Sequence, residues 1–487
     1  MAAALPPFLL AITLAAAQRI GTAIPEVHPK MATQLCTSAA GCVTRQTSLV
    51  TDALSRSFHA ADNMAVPCAT TPLNATLCPD AATCAQNCVL EGVEYGSIGV
   101  LATGSAVTLR QYLFDGSAFK SVSPRLYLLA EDDKNYEPLK LLNQELAFDV
   151  DVSKLGCGMN GALYLSEMDM SGSRSELNPA GAQYGTGYCD AQCFTVPFIN
   201  GLPNLNSSGS CCNEMDIWEA NSQATAYTPH TCSSPGSFLC DPSTGACNKT
   251  TGVCDKDGCG INAFGLGATS FYGPGLTVDT SRPFTVVTQF LTADNTSSTP
   301  LVEIRRLYIQ DNTLIPNTAT TTNAAVQKLP GGYAGAITQD YCAARGAKDF
   351  TRLGGLQGMG ESLARGMVLV FSLWNSPGDF MSWLDGGGSN GPCNATAGDP
   401  KGIVQNNPEV SVTFSNVRWG DIGSTFTVSG GGGAASGANA SAAAVAGGSG
   451  SGKGVNAGIQ GSGSAKVRVG GGVVGGIALL VGMIMVL

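Results

Sequence analysis

The chain has 487 residues, of which 44% are hydrophobic and 13% are charged, and its formal net charge at pH 7 is −10. This charge gives no electrostatic support for binding nucleic acid or an anionic membrane surface, and it leaves a neutral polymer open as a substrate class. The 62 glycines and the low charge content favour strands and loops over long helices.

The N-terminal segment and the cysteines both predict secretion. Residues 1–17 form an apolar stretch that ends in three alanines, which is typical of a signal peptide; a buried N-terminal helix is the alternative. The 18 cysteines, an even number, favour disulfides in an oxidising compartment. Zinc binding is the competing interpretation, but with only three histidines we expect no metal and no cofactor. Six glycosylation sequons agree with secretion: Asn74, Asn206, Asn248, Asn295, Asn394 and Asn439.

Residues 18–428 are predicted to form one catalytic domain, because no low-complexity segment divides them. Short apolar or alternating segments in this range are typical of strands: 124–129, 146–152, 284–290, 366–374 and 412–417. Long loops rich in glycine, proline and asparagine separate them, and many of these loops contain a cysteine. The pattern predicts an all-β fold, a large antiparallel β-sandwich with elaborated loops.

Three acids lie close together at Glu214, Asp216 and Glu219. On a regular strand, Glu214, Asp216 and Trp218 share one face and Glu219 takes the other. On a helix, Glu214 and Asp216 point about 200° apart. All three acids therefore converge only on a strand with one extra residue between Asp216 and Glu219, which is a β-bulge.

Such a trio suits the chemistry of glycoside hydrolysis with retention. That reaction needs a nucleophilic carboxylate and a protonated acid about 5–5.5 Å apart. A third acid beside the nucleophile can hold it in place and help to separate the titrations of the group. The alternative is a solvated strand face with ordinary surface acids. The adjacent Cys211 and Cys212 favour a rigidly held site instead.

The C-terminal segments differ from the rest in composition. Residues 429–472 are mostly glycine, serine and alanine, as in a flexible linker. Within them, 447–453 approach a phosphate-binding loop, but Gly454 stands where serine or threonine is required, so we interpret the match as chance. The apolar segment 473–487 favours a glycolipid (GPI) anchor signal, with a retained tail anchor as the alternative. We expect a secreted monomer attached at the cell surface by this lipid anchor.

The segment Cys-Cys-Asn-Glu-Met-Asp-Ile-Trp-Glu-Ala-Asn at 211–221 closely resembles the signature of glycoside hydrolase family 7, a family of cellulases. The resemblance covers residues 24–425 and includes 26–30, 184–193, 270–275 and 414–420. It implies a curved, concanavalin-like jelly roll that binds a β-1,4-glucan chain along its length and cleaves it with retention. By position, Glu214 resembles the nucleophile, Asp216 its hydrogen-bonding assistant and Glu219 the general acid/base.

The resemblance also implies a set of substrate-binding residues. His230 matches a histidine near the leaving-group side, and Trp374 and Trp383 match tryptophans that stack on glucosyl rings. The polar positions implied are Tyr164, Tyr188, Asp190 and Gln192 around the cleaved sugar, with Asn160 and Arg125 as donors further along the cleft. Flat aromatic rings pack well on the C–H faces of sugars. For Trp218, core packing is the better interpretation.

The family's disulfide pairing would use all 18 cysteines. It would join Cys36–Cys42, Cys68–Cys88, Cys78–Cys84, Cys157–Cys393, Cys189–Cys212, Cys193–Cys211, Cys232–Cys254, Cys240–Cys247 and Cys259–Cys342.

Departures from the family's cellobiohydrolases favour internal attack on the chain. The loop 248–253 and the segment 386–392 are short, and Gly265 stands where those enzymes carry a product-side arginine; Lys249 could partly replace a lost arginine. Ser57 occupies the place of an entrance tryptophan, which Phe58 could swing in to replace. We therefore expect an endo-β-1,4-glucanase. The alternatives are a cellobiohydrolase of the same family, a wall β-1,3(4)-glucanase or transglycosylase of family 16, and a non-catalytic glucan-binding surface protein.

Overall fold

The computed structural model describes residues 17–428, and strands dominate this part of the chain. The predicted signal peptide, apart from Ala17, and the predicted linker and anchor segments lie outside the described residues. The strands, in chain order, are β1 (Arg19–Ile20), β2 (Thr33–Thr37), β3 (Gly41–Arg45), β4 (Ser48–Thr51), β5 (Phe58–Ala60), β6 (Asn63–Pro67), β7 (Cys88–Leu90), β8 (Val100–Thr103), β9 (Ala106–Arg110), β10 (Tyr112–Phe114), β11 (Phe119–Ser121), β12 (Arg125–Leu129), β13 (Gln144–Asp151), β14 (Asn160–Ser166), β15 (Phe198–Ile199), β16 (Leu202–Pro203), β17 (Gly209–Cys211), β18 (Glu214–Ala220), β19 (Thr225–His230), β20 (Phe238–Cys240), β21 (Ile261–Asn262), β22 (Tyr272–Gly273), β23 (Val278–Asp279), β24 (Phe284–Thr292), β25 (Leu301–Gln310), β26 (Thr313–Pro316), β27 (Ala336–Thr338), β28 (Val368–Trp374) and β29 (Ser411–Asp421).

Two large sheets form the sandwich. The first has seven strands, all paired antiparallel, in the order β21-β19-β18-β14-β28-β12-β4. The second has ten strands, with the central order β26-β25-β24-β13-β29-β2-β3 and with β27, β9 and β8 added at its sides. The five predicted strand segments correspond to β12, β13, β24, β28 and β29. The predicted all-β sandwich is confirmed, including the jelly-roll architecture that the resemblance implied.

The main core lies between the two sheets. Alternate residues of β28, such as Phe371, belong to this core, and Phe371 contacts Phe414 of the second sheet with ring centroids 5.6 Å apart. Val368 and Val370 of the same strand belong to a second cluster on the opposite face, together with Tyr164. The first sheet is therefore buried on both faces, by the second sheet on one side and by long loops on the other.

Short helices lie in the connections. They are α1 (Ala81–Asn87), α2 (Gln339–Arg345), α3 (Lys348–Arg352), α4 (Gly355–Arg365), α5 (Ser382–Asp385) and α6 (Pro400–Asn406), with 3-10 turns at Ala53–Ser55, Tyr95–Ile98, Gly181–Tyr184, Pro242–Thr244 and Val326–Lys328. The 11-residue α4 is the longest described helix, and it packs against β25. Within residues 17–428, none of the helices has the length and apolar character needed to cross a membrane.

Nine disulfides tie the loops to the sandwich, and all nine pairs are those that the resemblance implied. The described chain contains no free cysteine. Cys78, Cys84 and Cys88 lie close together, but their sulfurs already take part in disulfides. This framework agrees with an extracellular, oxidising compartment.

Candidate active site

Strand β18 contains the predicted bulge. Against β14, Trp218 pairs with Leu163 and Asp216 pairs with Tyr164, so Ile217 is the extra residue. The register against β19 also shifts between Asp216 and Glu219. Ile217 and Trp218 consequently both lie in the main core. Glu219 returns to the face of the sheet that carries Glu214 and Asp216, as a two-against-one bulge requires.

Glu214 and Asp216 are buried on the loop-covered face of the sheet, with 8% and 6% of their surface exposed. The Glu214 Oε2 atom accepts a hydrogen bond of 3.0 Å from the backbone N–H of Ala191. Ala191 lies in the loop that two disulfides, Cys189–Cys212 and Cys193–Cys211, fasten to the residues just before β18. The loop therefore presents a fixed donor to the Glu214 carboxylate.

His230 at the end of β19 is the partner of Asp216. Its Nε2 atom lies 3.1 Å from Asp216 Oδ2, and its Nδ1 atom lies 2.9 Å from the carbonyl oxygen of Asp255. A carbonyl can only accept, so Nδ1 carries a hydrogen. Nε2 is therefore the ring nitrogen that faces Asp216.

Burial and mutual repulsion raise the pKa values of the clustered carboxyl groups. The pKa of Glu214 is raised well above its usual value by burial and then by the charges of Asp216 and Asp190, whereas His230 and the Ala191 N–H oppose the shift. Burial and Asp190 raise the pKa of Asp216 to about 8. The pKa of Asp190 is also raised, chiefly by burial. The group therefore retains protons that isolated carboxyls would release.

Glu219 is in a different environment from the other two acids. Burial, followed by the charge of Asp216, raises its pKa to about 8. The Nδ2 atom of Asn160 donates to Glu219 Oε1 over 2.9 Å, and Asn160 Oδ1 accepts from the N–H of Ala220 over 3.2 Å. Asn160 was expected further along the cleft, and its contact with the acid itself differs from that expectation. Its position on β14, next to β18, explains the contact.

Of the polar positions implied by the resemblance, Tyr164, Tyr188 and Asp190 lie close enough to Glu214 to interact with its charge. The hydroxyls of Tyr164 and Tyr188 lie 3.0 Å apart, and the guanidinium of Arg125 lies 3.7 Å from the centre of the Tyr188 ring. Asp190 Oδ1 accepts from the N–H of Cys193 over 3.0 Å. The Nε2 atom of Gln192 donates to the carbonyl of Lys256 over 2.9 Å, which ties two loops together.

Trp374 and Trp383 lie side by side. Their ring centroids are 6.3 Å apart with planes 29° from parallel, and Trp383 is 39% exposed. Trp383 lies on α5, whose Asp385 accepts from the N–H of Gly158 over 2.7 Å and from Asn221 Nδ2 over 2.6 Å. Asn221 directly follows β18, so the aromatic surface is tied to the strand that carries the acids.

Phe58 and Lys249 were suggested to replace an entrance tryptophan and a lost arginine, respectively. Ser57 is exposed, but Phe58 is only 7% exposed and packs against Phe198 with centroids 4.4 Å apart. The suggestion that Phe58 replaces an entrance tryptophan is therefore wrong, because this ring fills a core position. Lys249 forms a 2.6 Å ion pair with Asp257, and both side chains are largely exposed.

Sequence reasoning missed residues that hold the site from behind. Asp52 Oδ2 accepts from Arg125 Nη2 over 2.8 Å and from the hydroxyl of Tyr127. Asp385 and the carbonyl of Asp255 were also missed. All of them contact residues that are distant in sequence. The sequence around Asp52 indicated only a local role, as the N-cap of the turn Ala53–Ser55.

Comparisons with known proteins agree with this geometry. Residues 20–426 match the family model described as "Glycosyl hydrolase family 7". The "Probable endo-beta-1,4-glucanase celB" of Aspergillus terreus is 56% identical over 424 residues, which cover 87% of this chain and 98% of that protein. The native structure of the Humicola insolens endocellulase EGI has a TM-score of 0.78 and 45% identity, covering 84% of this chain and 100% of that one. A family 7 cellobiohydrolase from Daphnia pulex has a TM-score of 0.77 and 34% identity over the same shares.

Proposed function

The chain belongs to glycosyl hydrolase family 7, and from this premise we propose that it is a retaining endo-β-1,4-glucanase that acts on cellulose or related β-glucans. The observation that carries the assignment is the set of three acids on the bulged strand β18, in a chain 56% identical to a protein named as an endo-β-1,4-glucanase. Binding alone does not require these acids to be clustered and buried.

In the first step, the Glu214 carboxylate attacks the anomeric carbon and forms a covalent glycosyl ester. The bond from that carbon to the glycosidic oxygen breaks, and the Glu219 carboxyl gives its proton to the departing oxygen. In the second step, Glu219 takes a proton from water, the water oxygen adds to the anomeric carbon, and Glu214 is released. Two inversions at one carbon give net retention.

The electrostatics of the site support these roles. With a pKa of about 8, Glu219 holds its proton at neutral and acidic pH, as a general acid must. The Ala191 N–H and His230 favour the charged form of Glu214, since both oppose the rise in its pKa that burial and the charges of Asp216 and Asp190 cause.

Internal attack is supported by the short segments that border the cleft. The loop between Cys247 and Cys254 has six residues, and its Lys249 is occupied by Asp257. Gly265 lies beside the backbone carbonyl of Ser389, and neither residue has a positively charged side chain. Fewer cations on the product side and shorter loops favour release of both fragments after a cut over continued binding of one chain for repeated cuts.

The experiment that tests the function compares carboxymethylcellulose, cellooligosaccharides, mixed-linkage glucan and laminarin. We expect a fast fall in viscosity of carboxymethylcellulose relative to the number of reducing ends formed. Glu214→Gln serves as the inactive control. Activity on laminarin alone would contradict the assignment, and cellobiose as the only early product would point to the cellobiohydrolase alternative.

The C-terminal segment supports a further proposal on location, that a lipid anchor holds the protein at the cell surface. Residues 473–487 are apolar, and small residues precede them. A phospholipase C specific for phosphatidylinositol should release the protein from intact cells. Protein free in the medium from the start, or protein that the phospholipase leaves bound, would contradict this anchor.

A further inference from the structure

The bulge in β18 brings one buried backbone carbonyl, that of Ile217, into contact with a side chain of the opposite sheet. Ile217 is the only residue of β18 between Glu214 and Glu219 that pairs with neither β14 nor β19. A buried backbone carbonyl without a hydrogen bond is costly, because it has given up its hydrogen bonds to water. The Nη2 atom of Arg306 donates a hydrogen bond to this carbonyl. Arg306 lies on β25 of the opposite sheet, so the contact crosses the core of the sandwich.

Arg306 is buried in an unusual way for an arginine. It is 0% exposed; its Nε atom donates to Thr288 Oγ1 over 3.2 Å, whereas its buried Nη1 atom has no hydrogen-bond partner among the described residues. Its guanidinium carbon lies 4.3 Å from the centre of the Tyr227 ring and 5.8 Å from that of Trp218. The ion pairs of the described residues do not include it. Aromatic ring faces and neutral hydrogen-bond acceptors therefore offset part of the cost of desolvating this buried charge.

The contact lies two residues from the acid/base in the chain. If the same residues formed a regular strand without the bulge, the alternation of side chains would turn Glu219 towards the core. Arg306 satisfies the carbonyl that the bulge exposes, and its guanidinium lies over Trp218, the residue next to Glu219. We propose that Arg306 is a positioning residue, which acts through the backbone of Ile217 to hold the Glu219 carboxyl in place for proton transfer. This inference rests on the proposed function, in which Glu219 is the general acid.

The test uses the dependence of rate on the leaving group. Aryl β-cellobiosides with a phenol leaving group need a proton from Glu219, whereas the dinitrophenyl compound leaves without one. Arg306→Met should lower kcat/KM for the phenyl substrate by about tenfold to a hundredfold, as small misplacements of a catalytic group do, and should spare the dinitrophenyl substrate. Arg306→Lys restores a donor and should recover part of the loss. Arg305→Met is the matched control, since Arg305 is the neighbour on β25 and pairs with Glu303 over 2.7 Å.

Equal losses on both substrates in Arg306→Met, with the pH profile unchanged, would overturn the positioning role, because they would indicate only a smaller folded fraction. If the Arg306 variants do not fold, Thr288→Val carries the test. It removes the Nε acceptor and should cause a smaller loss confined to the phenyl substrate, and an unchanged ratio would overturn the proposal. Glu219→Gln distinguishes failure of the proposed function from failure of the Arg306 proposal. If Glu219→Gln loses activity equally on both substrates, the proposed function fails. If Glu219→Gln loses far more activity on the phenyl substrate while Arg306→Met loses equally on both, only the positioning role of Arg306 is refuted.

Discussion

The three acids of β18 have different polar partners, and those partners separate their chemistry. Glu214 accepts from a backbone N–H, Asp216 lies 3.1 Å from His230 Nε2, and Glu219 accepts from the side chain of Asn160. A donor to a carboxylate favours the charged form and lowers the pKa, while burial raises it. One short strand therefore places chemically similar groups in environments that suit attack, support and proton transfer.

The contact between Asn160 and Glu219 predicts a shift in the pH profile. In Asn160→Ala, Glu219 loses a donor that stabilises its charged form, so its pKa should rise above the value of about 8. The basic limb of kcat/KM should consequently move to higher pH. The Ala220 N–H also loses its acceptor, which should lower the free energy of unfolding by roughly 1–3 kcal/mol.

The measurement is kcat/KM against pH on cellooligosaccharides, together with thermal unfolding. Asn406→Ala, at an exposed position in α6, is the control and should leave both unchanged. A basic limb that stays in place or moves to lower pH would show that Asn160 does not set the protonation of the acid.

At the scale of elements, α5 and the end of β18 form one unit. Asp385 at the end of α5 accepts from Asn221 Nδ2, and the Cys157–Cys393 disulfide ties the adjacent segments. Trp383 is thus held at a fixed position relative to the acids although its ring is partly exposed. A helix of four residues has little stability of its own, so these contacts are what fix it.

Trp383→Ala should weaken binding of cellooligosaccharides without unfolding the protein. Loss of one stacking surface should cost roughly 1–3 kcal/mol of binding free energy, by analogy with other aromatic platforms. KM for long substrates should rise more than kcat falls, and the melting temperature should be nearly unchanged. Leu314→Ala, on the edge strand β26, removes a similarly exposed apolar side chain as the control. An unchanged KM would show that Trp383 does not contribute to substrate binding.

The sequence predicted local features of these elements better than contacts between them. The bulge followed from strand alternation alone, because three acids can share a face only with an extra residue, and Trp218 was correctly expected in the core. The contacts of Asn160 with Glu219 and of Arg306 with Ile217 join residues 59 and 89 positions apart. Such contacts depend on strand register and sheet packing, which one sequence does not determine. Phe58 was misjudged for the same reason.

At the scale of the whole molecule, the buried acids make stability depend on pH. The pKa of Glu219 is about 8 in the folded protein against an ordinary value of 4.5. Between these values the folded state keeps a proton that the unfolded state has released, so the free energy of unfolding falls as pH rises. Burial raises the pKa values of Glu214, Asp216 and Asp190 as well, and all act in the same direction. The nine disulfides offset this cost by restricting the unfolded chain.

Glu219→Gln should therefore be more stable than the wild type at high pH. Its advantage in melting temperature should be largest near pH 8 and should shrink towards pH 4.5, since glutamine does not titrate. Thermal unfolding across this range measures the effect, with Glu361→Gln at an exposed position of α4 as the control. A constant difference between Glu219→Gln and the wild type at all pH values would contradict the raised pKa.

The central claim, that Glu214 forms a covalent bond to the sugar while Glu219 supplies the proton, is tested most directly by trapping the intermediate. A cellobioside with fluorine beside the anomeric carbon and a good leaving group forms the ester quickly and hydrolyses it slowly. Mass spectrometry of the digested protein should then find one cellobiosyl adduct, on Glu214, and none in Glu214→Gln. An adduct on Glu219 or another carboxylate, or turnover without any adduct and with inversion at the anomeric carbon, would contradict the mechanism.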